Sequence, residues 1–159
     1  MPEIYRNKQE TTSKYEGEKD YNKKYAKLGQ KITDNVKTKI GGVKSTDPEY
    51  WGLREVLTEE EVDILLKVKL RKWYTFDQMY EMNKAQFTRE RFAEVMDLMC
   101  VHGILEYDYG DHYDDNGPTQ EKDPAEKRYR LSFYVPGSAE LFNSSVDRVD
   151  KNPAVASFF

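Results

Sequence analysis

Cysteine is nearly absent from this chain of 159 residues, with Cys100 standing alone. One thiol closes no disulfide within the chain and builds no cysteine-ligated zinc or iron–sulfur site, and its place on an apolar helical face reads as a buried structural side chain. Histidine occurs twice. His102 is expected at the end of a helix, where a cation is favoured, and His112 in a polar loop. No serine or cysteine stands in a nucleophile motif, no paired carboxylates sit on a rigid scaffold, and neither G-x-G-x-x-G nor G-x-x-x-x-G-K occurs. These absences leave no residue to assign to catalysis, cofactor binding or metal ligation. Long apolar runs are missing as well. Nothing approaches the ~20 apolar residues of a membrane span, and residues 1–10 lack the apolar stretch of a signal peptide, so the cytoplasm is the expected compartment.

What is present is charge and aromatic surface. Charged residues make up 34% and hydrophobic ones 38%, apolar material for one core with tails. The net charge of −4 is unevenly spread: residues 1–57 carry 12 Lys and Arg against 9 Asp and Glu, whereas residues 58–135 carry 11 against 17. A basic, Tyr- and Lys-rich arm over residues 1–39 thus precedes an acidic part. Residues 1–19 have no sustained periodicity and are expected to be disordered. Over residues 20–38, Tyr21, Tyr25, Leu28, Ile32 and Val36 form a narrow helical stripe among lysines. Gly29 interrupts it at a cost of about 1 kcal/mol relative to alanine. Three readings fit: a marginal helix or extended arm lying on its own acidic domain, a helix that contacts a protein partner through those five residues, and, least favoured because the face lacks Trp and Phe, a membrane-surface helix. Residues 40–57 read as a linker, with Gly41, Gly42 and the turn Ser45-Thr46-Asp47-Pro48. It ends in the aromatic group Tyr50-Trp51-Gly52-Leu53, a clamp onto the domain in which Trp51 is a candidate partner contact.

Residues 58–135 carry the strongest pattern. Thr58-Glu59-Glu60-Glu61 is a capping box opening a helix with Val62, Leu65, Leu66 and Leu70 inward, acidic at its start and basic at its end. Thr75-Phe76-Asp77-Gln78 is a second box, opening a short helix with Phe76, Met79 and Tyr80 inward that ends near Asn83. A third helix, Arg89–His102, has Thr88 as its N-cap, Phe92, Val95, Met96, Met99 and Cys100 on one face, and Gly103 at its end. The period then changes from 3.6 to 2. Leu105, Tyr107 and Tyr109 alternate with Glu106 and Asp108, and Tyr129, Leu131, Phe133 and Val135 alternate with Arg128 and Arg130, so opposite charges meet across a hairpin. The composite is mainly α with a β-hairpin, an α+β fold of winged-helix type: three helices and a two-stranded wing, preceded by a flexible or helical arm.

The loop at 110–127 is long and acidic. His112 to Asn116, with Asp123 in the twelfth position, faintly echoes a calcium loop, but the first ligand would be His, the last is not Glu and no helix flanks it. Winged helices often lay the third helix in the major groove of DNA, which would make Arg89 and Arg91 the contacts. Glu90, Glu94 and Asp97 share that surface, and a polyanion paired with counterions would be repelled, so nucleic acid is the disfavoured partner.

Four strings carry a resemblance: Asp47-Pro48-Glu49-Tyr50-Trp51-Gly52-Leu53, Lys69-Leu70-Arg71-Lys72, Phe133-Tyr134-Val135-Pro136-Gly137-Ser138-Ala139-Glu140, and Asn152-Pro153-Ala154-Val155-Ala156-Ser157-Phe158-Phe159. Over roughly residues 40–159 the chain resembles the N-terminal winged-helix-like region of large FAD- and NAD(P)-dependent, iron–sulfur-containing pyridine-nucleotide oxidoreductases of anaerobic bacteria. FAD, NAD(P) and 4Fe-4S clusters are implied only for the downstream part of that family. Its cysteines and glycine-rich loops have no counterpart here, so no functional residue carries over. The resemblance implies a non-catalytic accessory domain, a fragment or a stand-alone copy, that docks the catalytic part or a redox partner. Residues 136–159 would lead to that missing portion, with Trp51, Phe158 and Phe159 in contact with it. The alternative is a winged-helix DNA-binding transcriptional regulator.

Overall fold

Three helices capped as their sequences require form the centre of the structure, a computed structural model that describes residues 13–33, 40–110, 113–114, 117–118 and 124–158. In chain order the helices are α1 (Lys23–Thr33), α2 (Pro48–Val56), α3 (Glu59–Lys67), α4 (Phe76–Glu81), α5 (Arg89–His102), α6 (Ala139–Phe142) and α7 (Val146–Lys151). The strands are β1 (Tyr74–Thr75), β2 (Leu105–Asp108), β3 (Tyr113–Asp114), β4 (Gly117–Pro118) and β5 (Arg128–Leu131). Both capping boxes close reciprocally, at Thr58 with Glu61 and at Thr75 with Gln78. Thr88 accepts from the Arg91 N–H, and Gly103 ends α5 in the left-handed region at φ 81. A β-carbon there would collide with Leu141, so the glycine serves both the turn and the packing above it.

Helices α3, α4 and α5 meet around Phe92, whose ring takes Phe76, Tyr80 and Phe87 at 5.5, 5.7 and 5.7 Å. Val62, Leu65 and Met79 are buried as expected, while Leu66 and Leu70 lie at the rim and Ile64 takes a core place instead. The expected two-stranded wing is a three-stranded antiparallel sheet of order β1-β5-β2, because Tyr74 pairs with Tyr129 and Thr75 with Arg128. The hairpin register brings Glu106 opposite Arg130 and Asp108 opposite Arg128, as the charge alternation predicts. Tyr107 departs from expectation. It is 50% exposed, since β2 is an edge strand, and its ring lies against Tyr109 and Lys127 while Tyr129 takes the core position.

The described stretch of the arm, residues 13–33, joins the core. Helix α1 packs on α2 and α3, and its stripe residues Tyr25, Leu28 and Ile32 are almost fully buried. The closest approach falls at Gly29, where a β-carbon would stand 2.6 Å from the Glu49 carbonyl oxygen. Its lysines face acidic α3: Lys24 reaches Asp63 at 2.9 Å, and Lys31 donates to the Leu65 and Leu66 carbonyls at 3.1 and 2.9 Å, closing the end of that helix. The basic stripe therefore lies on the chain's own acidic domain, the first of the three readings. Residues 13–19 fall within the stretch expected to be disordered but form turns fixed to α2. Ser13 donates to Glu55, Tyr50 donates to Glu18, and the Arg54 guanidinium lies over the rings of Tyr15 and Tyr25.

The linker at 40–57 likewise contains a regular element. Pro48 occupies the first turn of α2, where its missing N–H costs nothing, and Tyr50, Trp51 and Leu53 turn inward. Of residues 136–159, expected to lead away from the domain, the described ones, 136–158, fold back on it. A π-helical turn (Tyr134–Ser138) packs on α1, α6 buries Ala139 and Phe142, and a final 3-10 turn (Pro153–Phe158) sets Ala154 and Val155 against α2. The structure is thus mainly helical with a small antiparallel sheet, an α+β fold, and among the described residues no helix is long and apolar enough to cross a membrane.

Candidate functional site

Helix α5 buries Phe92, Val95, Met96 and Met99 and turns the opposite face outward along its 14 residues. Arg89, Glu90, Arg91, Glu94, Asp97, Leu98 and Val101 are exposed. The two arginines are already engaged. Arg89 pairs with Asp77 and lies over the rings of Phe76 and Tyr80, and Arg91 bridges Glu94 at 3.1 Å and Glu60 at 3.2 Å. Among the described residues no cation pairs with Glu90 or Asp97, and the later part of the face adds apolar side chains. Leu98 is 46% exposed and Val101 67%.

The apolar part continues onto the C-terminal segment at Leu141. Leu141 sits over Gly103, and Val146 opens α7 at 76% exposure. Arg148 ties these pieces together by donating to the carbonyls of Val101, His102 (3.3 Å) and Leu141 (2.8 Å). It supplies donors and positive charge to the C-terminus of α5, where orphan carbonyls collect. Its burial lowers the guanidinium pKa from the usual value.

Beside Arg148 an open cleft of ≈ 320 Å³ is bordered by His102, Asp147, Lys151 and Asn152. His102 Nδ1 stands 2.9 Å from Oε1 of the buried Glu61, whose other oxygen accepts from the Thr58 N–H at 2.7 Å. Imidazole, carboxylate and guanidinium thus lie close together, but Glu61 belongs to a helix cap, Arg148 to a helix end, and the Ser145 hydroxyl caps α7. Each group is engaged in a structural role of its own. Burial pushes the Cys100 thiol up to about 11, which keeps it protonated and unreactive near neutrality. Among the described residues no three His, Cys, Asp or Glu side chains are grouped to hold a metal.

The structure disperses the residues singled out as partner contacts. Tyr25, Leu28, Ile32 and Trp51 are buried and unavailable to a partner, because they complete the chain's own core. Tyr25 also donates from its hydroxyl to the Leu57 carbonyl at 2.8 Å. Tyr21 is 38% exposed and meets Tyr50 edge-on at 5.6 Å. Phe158 ends the last 3-10 turn. Val36, Phe159 and the calcium-like positions His112, Asp115, Asn116 and Asp123 lie outside the described residues. The surface at Leu141, Val146 and Arg148 had no local signal, since their relation to α5 is made by the fold. Leu98 and Val101 did have one, being apolar residues off the buried stripe. No protein-family model, curated protein or solved structure matches this chain.

Proposed function

We propose that this chain is a non-catalytic interaction domain that docks a protein partner through the outer face of α5 and the adjoining α6–α7 corner. The observation that carries this reading is the composition of that face. Glu90, Glu94 and Asp97 run into Leu98 and Val101, with Leu141 and Val146 beyond. Exposed apolar side chains gathered beside carboxylates that no described cation pairs with, here Glu90 and Asp97, are the form of an interaction site. The matching partner presents an apolar surface bordered by basic side chains. The family resemblance supplies the setting: an accessory domain of a flavin- and iron–sulfur-dependent pyridine-nucleotide oxidoreductase, docking its catalytic part or a redox partner, with FAD, NAD(P) and 4Fe-4S carried by that partner.

A photo-crosslinking residue at Val101, introduced in the native host, tests the proposal. The expected product is a crosslink to one protein that carries flavin or an iron–sulfur cluster, lost when Leu98→Asp is added. Crosslinking to proteins of no cofactor class, or equally from a distant surface position such as Lys84, would sink it.

The second reading, a winged-helix DNA-binding regulator, is favoured by the element order. Three helices, α3, α4 and α5, followed by the β2–β5 hairpin are the element order that this reading expects. Its expected contacts, Arg89 and Arg91, would first have to leave Asp77, Glu60 and Glu94. Titration of the full chain with a short duplex at about 50 and about 200 mM salt separates the two readings. Protein docking predicts no binding at either salt, and tight binding that collapses with salt would favour DNA.

A further inference from the structure

We propose that the turn between α3 and β1, residues 69–73, receives an acidic linear segment of a protein partner, with the Arg71 guanidinium as its anchor and Lys69 and Lys72 beside it. The inference takes the class of partner, a protein, from the function proposed above, but it concerns a different surface. Three observations meet at Arg71. First, every other described arginine has an acceptor: Arg54 has Glu18, Arg89 has Asp77, Arg91 has Glu60 and Glu94, Arg128 has Asp108, Arg130 has Glu106, and Arg148 has backbone carbonyls. Among the described residues Arg71 has only the Phe133 ring, 5.3 Å from its guanidinium carbon. A guanidinium held on an aromatic face keeps its in-plane N–H fork for a carboxylate.

Second, Arg71 adopts φ 63, and among the described residues it is the single non-glycine with a positive φ. It stands third in the turn closed by the Lys72 N–H on the Lys69 carbonyl at 3.4 Å, the position where glycine or asparagine is at home. An arginine held in that conformation is an outlier of the kind that collects at binding sites. Third, the turn is fastened to the core: the Lys69 N–H donates to the hydroxyl of the buried Tyr74 at 2.9 Å. The donors are therefore presented on a fixed loop, which lowers the ordering cost of binding.

Charge sets the occupant. Lys69 and Lys72 are exposed and, like Arg71, have no carboxylate partner among the described residues; Lys72 lies over the Tyr74 ring at 5.0 Å. Next to them on the sheet, Arg128 and Arg130 lie over Trp73 but are already matched by Asp108 and Glu106. The unmatched cations stop at the edge of the turn. That suits a peptide with two or three carboxylates and an apolar residue for the half-buried Trp73, whereas a phosphate backbone would run on into carboxylates.

The test is fluorescence anisotropy of the full chain with a labelled peptide rich in Glu and carrying one Leu. Its Gln analogue and a single-stranded oligonucleotide serve as competing probes. Binding of the Glu peptide is expected, with little binding of the Gln peptide and a loss of at least about tenfold in Arg71→Gly, the scale of a charge-assisted fork. Glycine suits φ 63, so this variant keeps its fold. Arg71→Lys, which keeps the charge without the fork, should also weaken binding. Unchanged affinity in Arg71→Gly, equal binding of the Gln peptide, or preference for the oligonucleotide would overturn the proposal. Leu98→Asp is expected to leave the peptide affinity unchanged, so failure at this turn and failure at the α5 face are read separately.

Discussion

A β-carbon at Gly29 would lie 2.6 Å from the Glu49 carbonyl oxygen, on backbone that cannot swing aside as a flexible side chain would. Helix propensity alone makes Gly29→Ala stabilising by about 1 kcal/mol. The helix crossing opposes it, because α1 must move off α2 to admit the methyl group, a strain of about 1–3 kcal/mol. We expect the variant to be less stable than the parent in urea unfolding, and a higher midpoint would show that the crossing relaxes freely. The same residue shows how far sequence reasoning reaches. Its cost to a helix was legible, but its use was not, since the atom that forbids a side chain belongs to residue 49 and nothing near position 29 announces it. Tyr25, Leu28 and Ile32 were readable as a stripe for the same local reason, and the choice between the chain's own domain and a partner as the surface beneath it stayed open for the same distant one.

At the level of elements, the β2–β5 ladder joins a visible pattern to a titration. Burial pushes the Asp108 carboxyl pKa up, but the Arg128 guanidinium, the Gly110 N–H and the charge of Arg130 outweigh it and hold the group below the ordinary carboxylate value. A carboxyl whose folded pKa is depressed contributes stability that is present above its unfolded value, about 3.9, and is lost as the pH falls through the folded value. Unfolding free energy should therefore decline as acid is added below about pH 4, and Asp108→Asn should flatten part of that decline. An identical acid limb in the variant would show that the pair does not couple to folding. This ladder was legible because opposed charges at period 2 fix the register, and α3, α4 and α5 were legible from their caps. Strand β1 was hidden because two residues show no period, and α2 because its opening Ser45-Thr46-Asp47-Pro48 also reads as a turn.

At the scale of the molecule, residues from both sides of the α3–α5 unit close over it: α1 on one hand, and the turn and helices after β5 on the other, both in contact with α2. Burial of an aliphatic or aromatic side chain contributes about 1.5–3 kcal/mol, and a domain's whole stability is about 5–15 kcal/mol. A chain beginning at residue 40 loses Tyr25, Leu28 and Ile32 together, as well as the Lys31 ammonium that closes α3. We expect it to lose cooperative unfolding and dispersed amide resonances. A well-dispersed spectrum from that chain would restore the picture of an independent wing with a dispensable arm. The sequence marked the arm and the last segment as separate because their composition differs from the middle, yet composition does not say what a segment packs on.

The two tryptophans divide the molecule between them. Trp51 is sealed in α2 beneath the closing segments, and Trp73 is half-buried on the outer face of the sheet with two guanidiniums over its ring. Their emission is thus separable, a blue-shifted signal from the interior and a redder, quencher-accessible one from the sheet. With Trp73→Phe and Trp51→Phe as single-emitter versions, melting of the closing helices and of the sheet can be followed side by side, and coincident curves would mark one cooperative unit.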